Sequence, residues 1–355
     1  MRILDRYIGF TVAVSTFFVL LVLVSLFSFF TFAGELNKTG RGEYDSWQAL
    51  QFAALTIPAM LYQIFPTAAL IGTMSGLGAL ANNSELVAMR AAGYSLYNIL
   101  RSVFIFSFIL MLIVALVGEY VSPAAQTYAE TKRSLALSGS KGSQIEGGVW
   151  LRDGSQFIHV GNIADDGRLQ DVRMFQLTEN QQLAAIKEVG NAANFDAGNW
   201  LLSDYTSYQV LGDDVKIEKN ASVTDVNFLS QDILDLVAVK PESMSAQAAY
   251  QYVSYLEDNG IDARHYSQAF WMKVTAPIAT FVMVMLAIPI VMGSLRTLTA
   301  GHRVLIGTLT GIGFYLVSQV FAYMGLVFEL SPIVTAFVPI LVFAYVAFRM
   351  MKRVT

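Results

Sequence analysis

The sequence predicts an α-helical membrane protein with six transmembrane helices and one all-β, jellyroll-like domain set between the third and fourth of them. Three observations carry this. Of 355 residues, 55% are hydrophobic and only 14% are charged, a balance outside that of ordinary soluble domains. Six apolar stretches are each long enough to cross a bilayer. Between the third and fourth lies a polar insert, Ser122 to about Tyr266, whose 20 acidic and 11 basic residues set it apart from the spans around it.

The first span, Ile8 to Ala33, is ~26 residues or ~39 Å of helix, longer than the apolar core of a cleavable signal. The second runs from about Leu50 to Ala81 without a charged residue. A polar segment follows, Asn82 to Ser95, reading NNSELVAMRAAGYS. Here Asn83 or Ser84 can cap a short helix, Glu85 lies where the helix dipole favours an anion, and Gly93 can close the C-terminus in left-handed geometry. Leu86, Val87 and Met89 are expected on one side, giving an apolar surface to dock beside an exposed Glu85 carboxylate and the basic Arg90. Such a helix suits contact with a soluble partner, and an ordinary turn on the membrane surface fits the same spacing. The third span is Ser102 to Val121.

In the insert, short β-branched and aromatic runs such as Val149 to Leu151, Phe157 to Val160, Val172 to Leu177 and Tyr205 to Leu211 alternate with turn clusters. Those clusters are Asp153-Gly154, Asp165-Asp166-Gly167, Asp196-Ala197-Gly198-Asn199 and Gly212-Asp213-Asp214. The rhythm predicts a sandwich or open jelly roll. From Ser243 to Asn259 the spacing becomes helical, with Tyr252, Val253 and Leu256 on one side, a serine cap and Gly260 as the stop. Domain limits are therefore set at 1–122, 123–266 and 267–355. The last three spans are Val274 to Leu295, Val304 to Phe328 and Ile333 to Phe348.

Prolines 58, 66, 277, 289 and 339 predict kinks that neighbouring helices accommodate. Small residues at helical spacing, Ala68, Gly72 and Gly76 on span two and Gly307 and Gly311 on span five, predict close helix packing inside this chain. Basic residues assign the sides. Arg2, Arg6, Arg90, Arg101, Arg296, Arg303, Arg349, Lys352 and Arg353 fall on one side and only Lys38 and Arg41 on the other short loop. This places both termini and the Glu85 helix in the cytoplasm and the insert outside.

The chain has no cysteine, which excludes disulfides and thiolate metal sites. It contains no phosphate-binding loop, no H-E-x-x-H and no nucleophile elbow, and its three histidines, His159, His265 and His302, are far apart in this topology. An enzyme active site is not expected. His302 and Arg303 read as flanking positive charge. A net charge of −4 gives no sign of nucleic-acid binding.

Four stretches taken in order carry a resemblance: LDRYIGF (Leu4 to Phe10), SELVAMRAAGYS (Ser84 to Ser95), GEYVSP (Gly118 to Pro123) and GSLRTLTAGHRV (Gly293 to Val304). Together with the order of spans and the β insert, they make the whole chain resemble the lipopolysaccharide export permease family of Gram-negative bacteria, closer to its G-type subunit than to its F-type. The resemblance implies one half of an ABC-type extractor in the bacterial inner membrane, paired with the F-type permease subunit on a cytoplasmic ATPase dimer. No cofactor is expected in this chain, ATP being held by the partner. A bitopic membrane partner, a periplasmic bridge protein and lipopolysaccharide complete the expected partners, with no nucleic acid.

By the same resemblance, Glu85, Leu86, Met89, Arg90 and Gly93 belong to a coupling helix seated in the ATPase, and spans one and five form lateral gates. Lys38 and Arg133 match basic positions that face the substrate's phosphorylated head group. At Thr31 the sequence departs from the family, which commonly has a lysine there. Without the resemblance, Lys38 and Arg133 read as solvated outer-face charges.

Two other readings use the same residues. In one, the chain is a membrane scaffold whose β domain binds a periplasmic partner. In the other, an ion-coupled exporter, charges are needed inside the spans, and only Glu119, Lys273 and Glu329 come near, all at the outer boundary. The topology is directly testable because the chain lacks cysteine. Of single cysteines at Ser84, Ser143, Thr299 and Thr355, only Ser143→Cys should react with an impermeant thiol reagent added to intact spheroplasts. Outside labelling of Thr299→Cys would overturn the six-span arrangement.

Overall fold

The computed structural model describes residues 3–138, 149–153, 156–163, 168–178, 182–196, 199–211, 214–226, 241–292 and 300–353. Among them are six helices long and apolar enough to cross a membrane and an antiparallel sheet of six strands. The chain is thus a helical membrane domain carrying an all-β domain. Turn residues 154, 165–167, 197–198 and 212–213, together with Arg296, lie outside the described residues.

Helix α1 (Ile3–Leu36) extends beyond its apolar stretch at both ends. The expected second span divides into α2 (Ser46–Leu55) and α3 (Ile57–Asn82). The break falls at Thr56, whose hydroxyl donates to the Ala53 carbonyl at 2.9 Å, and Pro58 in the first turn of α3 has no N–H with which to continue the ladder. A capping box starts α2: the Gln48 amide donates to Asp45 Oδ1 at 2.9 Å and the Asp45 amide to Gln48 Oε1 at 2.6 Å. After α4 (Glu85–Ala91), α5 (Leu96–Leu116) passes through a π turn, Val117–Val121, into α6 (Ser122–Ser138). The third span's helix therefore runs beyond the limit at 122, because loss of apolarity marks where lipid ends and not where helical hydrogen bonding stops. Helices α7 (Ala246–Asp258), α8 (Arg264–Met292), α9 (Ala300–Val327) and α10 (Pro332–Met351) complete the chain.

Helices α3 and α8 form the centre, with most of their apolar length buried, while α1, α9 and α10 leave most of theirs exposed. The small residues do pack inside this chain. A Cβ on Gly72 would strike the backbone of Thr16, and one on Gly76 would lie 2.9 Å from Val12 Cα, so α1 and α3 cross almost backbone to backbone. On α9, a Cβ at Gly307 would lie 3.0 Å from Met74 Sδ, and one at Gly311 would strike Thr67.

Where the bundle meets α7, the π turn lies at the junction. A Cβ on Gly118 would lie 2.7 Å from the Tyr62 ring. Glu119, the next residue, accepts from the Ala246 amide at 2.8 Å and the Gln247 amide at 3.1 Å, supplying an anion to the N-terminus of α7. Ser245 caps the same end by accepting from Ala248 N at 3.0 Å. Lys273 Nζ donates to the Met244 carbonyl, and Glu329 pairs with Arg264 at 3.2 Å. All three charges weighed for ion coupling are thus committed to structural contacts.

The strands β1 (Val149–Asp153), β2 (Gln156–Ile163), β3 (Leu169–Leu177), β4 (Leu183–Asp196), β5 (Asn199–Leu211) and β6 (Asp214–Val226) pair in chain order. One face buries Ile158, Val160, Leu169, Val172, Met174, Val189, Ala192, Trp200 and Leu202 as a packed core. Its spacing is not a strict alternation: Leu169 to Val172 and Val189 to Ala192 step by three. A row across the sheet explains this. Gly161, Asp171, Gly190 and Asp204 face one another on β2 to β5, Asp171 and Asp204 have φ of 51° and 56°, and the register is the same on either side of them. Strands β2 to β5 each pass one residue out of the ladder at the same level, and on β3 and β4 the buried positions change parity across it.

Candidate functional site

At the end of the bundle that carries the termini, α4 sits between α3 and α5. Gly93 (φ 85°) is the left-handed residue that stops it. The Tyr94 amide donates to the Met89 carbonyl at 2.9 Å and the Gly93 amide to the Arg90 carbonyl at 3.0 Å, the two bonds of a Schellman closure. The N-terminus differs from the expectation. Ser84 lies at φ 60°, away from the extended backbone of a capping residue, and makes no side-chain cap, while Asn83 turns its amide to Glu85 Oε1 at 3.2 Å.

The faces of α4 differ too. Leu86 and Met89 are buried in the bundle core, whereas Val87 is exposed. The surface open to a partner is therefore formed by Val87, Ala88, Arg90 and Ala91. Leu86 and Met89 anchor the helix from beneath. A helix of two turns cannot keep an apolar docking face outside and still be held, so its largest apolar side chains go inward.

Glu85 is half-buried rather than free. It accepts from Tyr7 Oη at 2.8 Å through Oε2, while Asn83 occupies Oε1. Asp5 receives the Tyr94 hydroxyl and the Ser102 hydroxyl at 3.2 Å. Two bonds thus tie α1 to the α4 segment, one at each end of it. Arg303 also departs from its reading as flanking charge: it is 2% exposed. Its Nη1 donates to the Gly78 carbonyl at 2.6 Å and its Nη2 to Asn82 Oδ1 at 2.8 Å. Tyr7, Asp5 and Arg303 lie within the sequence stretches singled out above, but their roles depend on partners 78 to 225 residues away.

At the opposite end, the structure brings Lys38 and Arg133 together on one carboxylate that sequence reasoning missed. Glu35 is 6% exposed. Its Oε1 lies 2.7 Å from Lys38 Nζ and its Oε2 lies 2.9 Å from Arg133 Nε. Glu130 takes Arg133 Nη1 at 3.0 Å, and the guanidinium lies over the Phe52 ring at 5.0 Å. The expected cationic rim is therefore charge-balanced, two cations against two carboxylates, as a guanidinium at a half-dry boundary requires.

Tyr44 donates to Glu35 at 3.1 Å. Burial, and then the Glu35 charge, push its phenol up to about 12, so it remains a donor at physiological pH. The turn bearing Lys38 is held by Glu43 N donating to the Ala136 carbonyl at 2.8 Å, against which Gly42 packs without room for a side chain. Lys132 points elsewhere, over the Tyr128 ring at 4.8 Å, and Thr31 lies one turn before Glu35 on α1. The i,i+3 spacing of Glu35 and Lys38 was a readable signal, whereas the Arg133 contact was not. Among the described residues, no three His, Cys, Asp or Glu side chains group as metal ligands would.

The family profile described as "Lipopolysaccharide export system permease LptF/LptG" matches residues 6–353. The chain belongs to this family. It is 33% identical over 351 residues to "Lipopolysaccharide export system permease protein LptG" of Haemophilus influenzae, covering 99% of this chain and 98% of that protein. It is 31% identical over 354 residues to the protein of the same name from Escherichia coli K12, at 99% and 98% coverage. This permease is thus a multi-pass membrane protein of lipopolysaccharide export.

The Glu35 cluster can be checked on the purified permease. Glu35→Gln should lower stability by about 1–3 kcal/mol. The loss stays below that of a fully buried pair because the Lys38 and Arg133 side chains remain 33% and 20% exposed. Glu130→Gln should cost less, since Glu130 is 29% exposed and contacts only Arg133 among these cations. Thermal unfolding in detergent checks both, and equal losses would remove Glu35 from its central place.

Proposed function

We propose that this permease is the G-type half of an ABC-type exporter that extracts lipopolysaccharide from the outer leaflet of the inner membrane and passes it to a periplasmic bridge. It would pair with the F-type subunit above a cytoplasmic ATPase dimer, which holds the ATP, so this chain needs no cofactor of its own. A bitopic membrane protein would stand beside span one. Family membership and the names of its relatives support the export reading. The excess of basic residues on one side supports cytoplasmic termini and an outer β domain.

The observation that carries the substrate reading is the convergence of Lys38 and Arg133 at the β-domain end of the bundle, above apolar helices. A phosphorylated sugar with acyl chains needs cations at the boundary and an apolar wall below it. The phosphates would share or replace Glu35 and Glu130 on those cations, and the guanidinium can engage them through two N–H groups at once.

At the other end, the exposed face of α4 and the outer lone pairs of Glu85 would dock the ATPase. Tyr7 and Asn83 use only part of what the carboxylate can accept, which leaves it open to a basic partner.

Photoreactive side chains at 38 and 133 should crosslink to lipopolysaccharide in cells, and one at 132 much less, because Lys132 points away from the cluster. Equal crosslinking at 132, or normal export by the Lys38→Glu and Arg133→Glu double variant, would overturn the head-group assignment. For docking, Glu85→Lys should weaken the contact by roughly 2–5 kcal/mol and abolish export, with Glu85→Gln doing less harm. Normal ATP-driven export by Glu85→Lys in reconstituted liposomes would remove α4 from the mechanism.

A further inference from the structure

Arg303 is among the largest fully buried side chains of the chain, and it is placed at a cost. Taking a guanidinium out of water costs several kcal/mol unless it is paired. Among the described residues Arg303 has no carboxylate partner, its two bonds go to neutral oxygens, and its Nε makes no hydrogen bond. It also sits in the first turn of α9, where the dipole of its own helix disfavours a cation. The same charge lies at the C-terminal turn of α3, where the dipole favours it. Its position is thus explained by α3 and not by the helix that carries it.

The fit to α3 is close. A Cβ on Gly78 would lie 2.6 Å from Arg303 Nη1 and 3.1 Å from Cδ, so only glycine admits the guanidinium to that carbonyl. The second acceptor, Asn82, is the last residue of α3. One residue separates Asn82 from Ser84, whose positive φ turns the chain into α4. Little of the apolar length of α9 is buried, and beyond Arg303 it meets α3 again at Gly307 and Gly311.

We propose that Arg303 is a positioning residue that transmits displacement of the α4 segment to α9, by gripping the final turn of α3 at Gly78 and Asn82. A partner that moves α4 would then move span five with it. This rests on the docking reading of α4 given above.

The test uses the full complex with its ATPase and spin labels on this cysteine-free chain, the partners' cysteines being replaced. One label pair joins Ala91→Cys on α4 to Phe281→Cys on α8, and the other joins Leu316→Cys on α9 to Phe281→Cys. Both distances should shift between the nucleotide-free and the ATP-vanadate-trapped complex. In Arg303→Gln the α4 shift should persist while the α9 shift falls to less than half, and lipopolysaccharide released per ATP should fall at least tenfold. Arg303→Lys, which can still reach one acceptor, should fall between. Asn82→Ala should give the α9 defect in milder form and add nothing to Arg303→Gln, and it carries the test if Arg303→Gln does not assemble.

An undiminished α9 shift in Arg303→Gln, with α4 still moving, overturns the inference and leaves the docking reading intact. If the α4 distance does not respond to nucleotide in the unsubstituted permease, the docking reading fails and the inference falls with it.

Discussion

Where α1 crosses α3 at Gly72 and Gly76, no side chain separates the two backbones, and the rest of the bundle is arranged around that close approach. In lipid there is no hydrophobic drive between helices, so dispersion contacts over a close crossing must hold them. The crossing fixes α1 against the most buried helix of the bundle. It thereby sets Tyr7 and Asp5 beside the α4 segment at one end and Glu35 beside Arg133 at the other. One steric contact therefore positions both candidate regions.

Polar side chains at the two ends of the bundle are used as ties between elements. Glu119 caps α7, Lys273 holds the Met244 carbonyl, Arg303 holds the last turn of α3, and Glu35 gathers Lys38, Arg133 and Tyr44. A half-dry boundary strengthens each such bond and makes each unpaired group expensive, so a charge near the end of a span is drawn into local structure. That is why residues that read as ion-pathway candidates or flanking charges prove to join helix to helix, and why the two cations read as a rim carry counter-ions of their own.

The β domain shows a similar effect of context on pattern. Its strands were legible from β-branched runs between turn residues, but the phase of their faces was not. Asp171 and Asp204 adopt left-handed φ opposite Gly161 and Gly190, and past that row the buried positions change parity. Glycine and aspartate within a strand read as interruptions when each strand is taken alone. Only side by side do they form one row running across the sheet.

The sequence alone determined the six spans, the β insert, the short helix between spans two and three with Gly93 as its stop, and membership of the permease family. These follow from apolar length, local turn chemistry and the order of motifs, all of which are properties of neighbouring residues. Tertiary structure alone decided which side of α4 faces out, that Arg303 is buried, and that Glu35 unites Lys38 with Arg133. The reason is physical: each depends on a partner that the fold brings from tens to hundreds of residues away, and the burial of a charge is settled by whether such a partner arrives.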